Sequence, residues 1–302
     1  MNARKYAVID LGSNTFHLLI VEESEGKGMS VLHRKRVFTA LSDGGVTHIK
    51  AERFEHGLDT LRKFKDVLND YGNPPLRVIG TAVLRHADNR NDFVNAAATI
   101  LETNIEIIDG QQEAQYIYQG ITMLDTLQTG QHLIMDIGGG STEFIIVQNG
   151  QKVWSESYPL GVGILHKMFH QSDPISHKDL EMLRLYVLDI VAPLTDEISK
   201  YEFDSLTGAS GSFEVLQSMS GQKISEQKIS EIDLATFEKI YQEIIHSNIE
   251  QRSHLPGLPK ERIKLIVVGM ALKKVILDTS KAIRIFVSPY ALKEGVLREM
   301  MM

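Results

Sequence analysis

The chain has 302 residues, of which 43% are hydrophobic, and its formal net charge at pH 7 is −7. This length is enough for two domains of ordinary size, and the negative charge argues against general binding to nucleic acid. Cysteine is absent, which excludes disulfides, thiolate catalysis and cysteine–zinc sites and fits a cytoplasmic protein without deciding it. The sequence contains no long uncharged apolar run, so we expect no membrane span.

Predicted strands and helices alternate in the first half of the chain. A hairpin is expected around residues 12–15, and residues 51–71 have the apolar spacing of an amphipathic helix. Short strands are expected at 77–80 and 105–108, and a helix that carries Glu113 in its first turn follows the second of them. This order predicts an α/β fold.

The second half of the chain repeats this alternation. Residues 178–199 predict a long amphipathic helix, which Pro193 should kink or end. We expect a helix over 270–278 and a final helix over 291–302. Strands are expected on both sides of residues 138–142 and at 205–208 and 263–268.

Residues 133–147 contain two apolar runs that flank a turn with almost no side chains. The backbone N–H groups of such a turn can close around an anion. Asp136 and Glu143 stand at its two edges, and their carboxylates would repel an anion unless a cation lay between them. The stretch suggests a phosphate site with a divalent metal, and the alternative is an ordinary glycine-rich hairpin. The expected anion-binding residues are Gly138, Gly139, Gly140, Ser141 and Thr142.

The same pattern occurs in residues 7–21, which align with 133–147 without a gap. Asp10 falls on Asp136 and Gly12 on Gly138, and such a repeat indicates a duplicated structural unit. We therefore also count Asp10 among the candidate metal ligands. The expected phosphate-binding residues of this first turn are Gly12, Ser13, Asn14 and Thr15.

Two charged residues outside the turns are further candidates. Arg85 follows a small-residue turn and could hold a phosphate with two hydrogen bonds, or it could be an ordinary surface arginine. Glu113 stands in the first turn of a predicted helix, where an acid is stabilised by the helix dipole. It could instead be a general base that accepts a proton from a water molecule attacking phosphorus.

Together these motifs resemble those of the Ppx/GppA family of exopolyphosphatases and guanosine pentaphosphate phosphohydrolases. The resemblance covers nearly the whole chain and rests on the stretches VIDLGSNTFH (8–17), GTAVLR (80–85), GQQEA (110–114), MDIGGGSTE (135–143) and GASG (208–211). It implies an α/β fold of two actin-like, ribonuclease-H-like lobes with the active site in the cleft between them. The lobes would comprise residues 1–125 with 290–302, and residues 126–289.

The resemblance also implies release of terminal phosphate with Mg²⁺ as cofactor. The family's catalytic glutamate matches Glu113, its acidic metal-site positions match Asp136 and Glu143, and its phosphate-binding arginine matches Arg85. Gly208, Ser210 and Gly211 in the last motif are counted with the phosphate-binding residues. The chain is expected to be a short form without the C-terminal HD-type domain, and Gln112 stands where the family often has an acid.

The leading function is therefore an exopolyphosphatase, with a preference for short chains left open. The rival within the same fold is hydrolysis of guanosine pentaphosphate (pppGpp) or nucleoside triphosphates, and the rival from another class is a non-catalytic sensor of phosphorylated nucleotides. The expected partner is the polyphosphate or guanosine polyphosphate substrate. Neither nucleic acid nor a membrane is expected, a cytoplasmic location is expected, and a homodimer is left open.

Overall fold

The computed structural model describes residues 4–24, 28–43, 45–209, 211–222 and 228–302. The strands are β1 (Arg4–Leu11), β2 (Thr15–Ser24), β3 (Gly28–Phe38), β4 (Leu76–Gly80), β5 (Ile105–Ile107), β6 (Gln131–Ile137), β7 (Thr142–Gln148), β8 (Gln151–Tyr158), β9 (Ser205–Ala209), β10 (Ser230–Ile232) and β11 (Ile285–Val287). The helices are α1 (Ala51–Asp70), α2 (Ala82–His86), α3 (Arg90–Leu101), α4 (Gly110–Ile121), α5 (Val162–Phe169), α6 (His177–Ile190), α7 (Ala192–Ile198), α8 (Gly211–Met219), α9 (Leu234–His246), α10 (Ile249–Ser253), α11 (Ile266–Ser280) and α12 (Leu292–Met301).

The chain divides into two compact units. The first unit consists of Met1–Gly120 and Leu292–Met302, and the second consists of Ile121–Ala291. The boundaries expected from the sequence, after residues 125 and 289, lie near these two divisions. Among the described residues, no helix is both long and apolar enough to cross a membrane.

The first unit contains a five-stranded mixed sheet in the order β3-β2-β1-β4-β5. The first three strands form an antiparallel meander, whereas β4 runs parallel to β1 and β5 runs parallel to β4. Because β1, β4 and β5 are parallel, their carboxyl ends meet at one edge of the sheet. The segments that follow these three ends carry the candidate site residues of this unit.

One face of this sheet packs against α1 and α3. Ile9 and Leu18 point to this face and belong to the same buried cluster as Leu61 of α1 and Phe93 of α3. The predicted apolar stripe of α1 is confirmed, because its side chains at 58, 61, 64 and 68 are buried. Alternate residues of a strand point to opposite faces, so Asp10 lies on the other face of β1.

That other face contacts α12, which belongs to the first unit. The Arg34 Nη2 of β3 lies 3.5 Å from the Glu294 Oε1 of α12, whose side chain is fully buried. At Gly295 a side chain would overlap the Tyr116 carbonyl of α4, so only glycine allows α12 and α4 to approach this closely.

The second unit contains a six-stranded mixed sheet in the order β10-β11-β9-β6-β7-β8. The strands β6, β7 and β8 form an antiparallel meander, β9 runs parallel to β6, and β11 runs parallel to β9. This is the arrangement of the first unit, to which β10 is added as an antiparallel edge strand. The repeat in the sequence thus corresponds to a repeat of a strand meander followed by parallel strands.

One helix and one strand predicted for the second unit differ from the structure. The helix expected over 178–199 is divided into α6 and α7, and Pro193 lies in the first turn of α7, as its missing N–H requires. The strand expected over 263–268 is wrong, because α11 begins at Ile266. Almost every residue of α11 up to Leu277 is buried, so an apolar run shows no periodicity that would separate a helix from a strand.

Candidate active site

The turn between β1 and β2 has the form expected of an anion-binding turn. The Gly12 N–H donates to the Thr15 carbonyl over 3.1 Å, which closes the turn. A Cβ atom at Gly12 would lie 2.8 Å from that carbonyl oxygen, closer than real Cβ contacts. Glycine is therefore required here because the backbone approaches too closely for any side chain.

Ser13 and Asn14 tie this turn to the rest of the first unit. The Ser13 Oγ accepts a hydrogen bond from the Val83 N–H of α2 over 3.1 Å. The Asn14 carbonyl accepts from the N–H groups of Thr39 and Ala40, and its side-chain Oδ1 accepts from the Ser42 hydroxyl over 2.8 Å. The segment after β3 therefore holds the backbone and one side-chain atom of Asn14.

The remaining polar atom of the Asn14 side chain is left without a protein partner in the described part of the chain. Its Nδ2 is buried and has no hydrogen-bond partner among the described residues, and the same holds for the neighbouring Thr39 hydroxyl. An unsatisfied buried polar group costs about 1–3 kcal/mol. A phosphate oxygen that accepted from the Asn14 Nδ2 would remove this cost for the amide.

Arg85 and Glu113 are brought together at the same edge of the sheet. Arg85 lies in α2, which follows β4, and Glu113 lies in the first turn of α4, which follows β5. The Arg85 Nη1 lies 2.7 Å from the Glu113 Oε2 and 3.0 Å from the Ile108 carbonyl. Both side chains are largely buried, with 15% and 11% of their surface exposed. The sequence identified both residues but not their pairing.

The start of α4 fixes the position of the glutamate. The Asp109 Oδ1 accepts from the Gln112 N–H over 2.8 Å, and the Asp109 carbonyl accepts from the Glu113 N–H over 3.0 Å. Asp109 thereby caps the helix. Asp109 thus fixes the backbone of Glu113, and Arg85 holds its carboxylate.

The turn between β6 and β7 repeats the construction of the first turn. The Gly138 N–H donates to the Ser141 carbonyl over 2.9 Å, and a Cβ atom at Gly138 would lie 3.0 Å from that oxygen. The predicted equivalence of Gly12 and Gly138 therefore holds at the level of individual hydrogen bonds.

The segment between β8 and α5 supports this second turn. The N–H groups of Val162 and Gly163 donate to the carbonyls of Gly138 and Gly139 over 3.0 and 2.9 Å. A side chain at Gly161 would overlap the backbone of Gly139 and Gly140. The Thr142 hydroxyl donates to the carbonyl of residue 160 over 2.8 Å, so this hydroxyl anchors the turn. These contacts turn the carbonyls of the glycine segment toward α5.

The two acidic residues of the second unit face each other across adjacent strands. Asp136 of β6 pairs directly with Glu143 of β7, and both are buried, with 8% and 1% exposure. The Glu143 Oε1 accepts from the Ser157 hydroxyl of β8 over 2.7 Å. Like charges opposite each other on neighbouring strands are unfavourable, and a cation bound between them would offset this cost.

This donor set fits a hard divalent cation. Mg²⁺ is commonly held by one or two carboxylates, with substrate phosphates and water as the other ligands, and Asp136 and Glu143 supply two carboxylates. No cluster of three or more His, Asp or Glu residues suited to a metal occurs in the part of the chain that the structure describes. The third candidate, Asp10, lies in the first unit, where it pairs with His17 of β2.

The last group of candidates follows β9. Gly208 contacts the Phe213 ring of α8, and its carbonyl accepts from the Ser288 N–H over 2.9 Å. Gly211 begins α8 and lies against the guanidinium of Arg262. Ser210 lies outside the described residues.

Two residues of the first unit were not identified from the sequence. Thr39 contributes the buried hydroxyl beside Asn14, and no pattern in the sequence marks it. His17 lies opposite Asp10, and the internal repeat of the sequence could have identified it. In the alignment of 7–21 with 133–147, His17 falls on Glu143.

Each unit contains a matching glycine turn, and the first unit also contains an acid held by an arginine. These features are typical of enzymes that act on phosphate groups. The model of the Ppx/GppA phosphatase family matches residues 19–302. The chain therefore belongs to this family and is a phosphoanhydride hydrolase.

Solved structures agree with this assignment. An exopolyphosphatase from Cytophaga hutchinsonii ATCC 33406 is 30% identical, with a TM-score of 0.94 over 99% of this chain and 98% of its own. A PPX-GPPA enzyme from Aquifex aeolicus is 21% identical, with a TM-score of 0.81 over 99% of this chain and 100% of its own, a similarity of fold. The predicted family, the two actin-like α/β lobes and the phosphoanhydride hydrolase are thus confirmed.

Proposed function

We propose that the chain is an exopolyphosphatase that releases terminal phosphate from inorganic polyphosphate in a Mg²⁺-dependent hydrolysis. The ion pair between Arg85 and Glu113 is the observation that carries this proposal. In this pair a carboxylate lies beside a guanidinium, a group that can bind phosphate, in the segments that follow β4 and β5. The similarity to an exopolyphosphatase that is 30% identical over 99% of the chain supports polyphosphate as the substrate.

Glu113 is the general base in this proposal. Its carboxylate accepts a proton from a water molecule, the water oxygen forms a bond to the terminal phosphorus, and the anhydride P–O bond breaks. The shortened phosphate chain leaves with the electron pair of that bond. A guanidinium has five N–H donors in a fork, so Arg85 can hold Glu113 and also bind an oxygen of the terminal phosphate.

The turns supply the remaining contacts to phosphate. In the first unit, the Asn14 Nδ2 is a buried donor without a described partner and would donate to a phosphate oxygen. In the second unit, Asp136 and Glu143 would hold Mg²⁺, and Asp10 stays a predicted ligand. The bound ion would neutralise negative charge on the phosphate oxygens.

The test is phosphate release by the purified chain from polyphosphates of defined length and from pppGpp, with Mg²⁺ present. Glu113→Gln should keep the fold and substrate binding but lower the rate by about 10²–10⁴. Glu52→Gln is the control, because Glu52 lies in the same unit and its side chain is 85% exposed. Turnover close to wild type in Glu113→Gln would remove Glu113 from the reaction.

The same assay separates the alternatives. Faster release from pppGpp or from nucleoside triphosphates than from any polyphosphate would replace the proposed substrate. Binding of these nucleotides without phosphate release would favour a sensor. A homodimer and a cytoplasmic location stay predictions, and light scattering of the purified chain tests the first of them.

A further inference from the structure

A row of polar residues crosses the first three strands of the first unit. Asp10 of β1 pairs with His17 of β2, and His17 pairs with Arg36 of β3. Residues directly opposite each other on antiparallel strands lie on the same face, with Cβ atoms about 4.5–5.5 Å apart. The three side chains are therefore neighbours on one face, two residues before the Gly12 turn in β1.

The second unit has a row at the same position. Asp136, Glu143 and Ser157 pair in the same order across β6, β7 and β8. Asp136 precedes Gly138 as Asp10 precedes Gly12. The two rows differ in charge, because the second contains two carboxylates and the first contains one carboxylate, a histidine and an arginine. One row suits a cation, whereas the other can bind an anion.

The face on which the first row lies follows from its neighbours on β3. Arg34 stands two residues before Arg36, hence on the same face, and it forms the ion pair with Glu294 of α12. Lys35 lies on the opposite face, since it pairs with Leu18 of the buried core. Arg36 is exposed and His17 is half-buried, so a ligand can reach the row at the β3 side.

We propose that His17, which ends the motif at 8–17, and Arg36, which lies outside every motif, bind the oxygens of the substrate's phosphate chain and form an anion subsite. This inference rests on the proposed action on polyphosphate. In this inference the first row binds phosphate, with Asp10 as the hydrogen-bond acceptor for His17 in place of its predicted role at the metal, and the second row would hold the metal. The buried Asn14 Nδ2, a donor at the same edge of the same sheet, is independent support for an anion in this unit.

The chemistry of the row is consistent with this role. Asp10 lies where it can accept a hydrogen bond from one nitrogen of His17, which would direct the other nitrogen toward the ligand. Arg36 can donate two parallel hydrogen bonds to a phosphate, which lysine cannot reproduce. The row would contact a phosphate beyond the one that is cleaved, so its loss should weaken binding more than it slows the chemical step.

The experiment measures binding of inorganic tripolyphosphate with Mg²⁺ by calorimetry, in the full chain carrying Glu113→Gln to prevent turnover. Arg36→Met and His17→Leu should each raise Kd by about tenfold or more. Arg36→Lys and His17→Gln should recover part of the loss, since each keeps a donor. Lys35→Met is the matched control, because it removes the same charge from the other face of the same strand, and its Kd should change by less than about twofold.

The proposal would be overturned by an unchanged Kd in Arg36→Met or by equal losses of affinity in Arg36→Met and Lys35→Met. It would also be overturned if Arg36→Met or His17→Leu, measured without the Glu113 substitution, lowered kcat without raising KM. Thermal unfolding by circular dichroism checks that each variant is folded. If the wild-type chain releases no phosphate while tripolyphosphate binding still depends on Arg36 and His17, the proposed hydrolysis fails and the anion subsite stands.

Discussion

Replacing Lys273 by methionine should stabilise the second unit and remove much of the pH dependence of its free energy of unfolding. Lys273 lies on α11 and is fully buried, with its Nζ 3.4 Å from the Gly269 carbonyl and 4.7 Å from the centre of the Phe213 ring. Within the described residues its ammonium forms no ion pair with a carboxylate. Burial, and then the nearby charge of Arg262, lower the pKa of Lys273 to about 7.

The sign and size of the effect follow from this pKa. In the unfolded chain Lys273 titrates near its ordinary value of 10.5. Between about pH 7 and 10.5 the unfolded chain binds a proton that the folded chain does not, so the free energy of unfolding rises with pH in that window. Below about pH 7 the whole cost of burying the ammonium is present. The difference between the two pKa values corresponds to a cost on the order of 5 kcal/mol.

The assay is urea unfolding of the wild-type chain and Lys273→Met at about pH 6 and about pH 9. The variant should be more stable by several kcal/mol at the lower pH, and the difference should shrink at the higher pH. Lys274→Met is the control, because Lys274 is half-buried and pairs with Asp278 at 2.7 Å and Glu238 at 3.5 Å. An equal pH dependence in Lys273→Met and the wild-type chain would show that burial of the Lys273 charge does not destabilise the folded protein.

Two further predictions concern the second unit. Asp136→Asn should raise the Mg²⁺ concentration needed for half-maximal phosphate release by about tenfold or more. Asp189→Asn, at an exposed position on α6, should leave this concentration unchanged. Activity that persists in the presence of a chelator would contradict a metal at Asp136. Gly161→Ala should lower the free energy of unfolding by about 1–3 kcal/mol, because the added methyl group would overlap the backbone of Gly139. Thermal unfolding measures this loss, and a midpoint equal to that of the wild-type chain would show that the turn can shift.

Local features of the fold could be predicted from the sequence because they depend on neighbouring residues. The apolar spacing of α1 and the break at Pro193 are of this kind, since the first reflects a 3.6-residue period and the second a missing N–H. The strand predicted over 263–268 was wrong because the neighbouring residues did not carry enough information. The start of α11 is buried on all sides by the second unit. Residues 265–268 are apolar at every position, so they show no period that separates a helix from a strand.

The two glycine turns and their repetition could be recognised from the sequence alone. Gly12 and Gly138 are required by the close approach of backbone atoms within a few residues, which is why the repeat can be recognised without the fold. Which charged groups meet depends on the three-dimensional fold. Arg85 and Glu113 come together because β4 and β5 are parallel and end at one edge, and the row of Asp10, His17 and Arg36 exists only in one strand register. A shift of that register by one residue would move each side chain to the opposite face of the sheet. Strand order and register depend on residues far apart in the chain, so the contacts between these groups cannot be derived from the sequence around each of them.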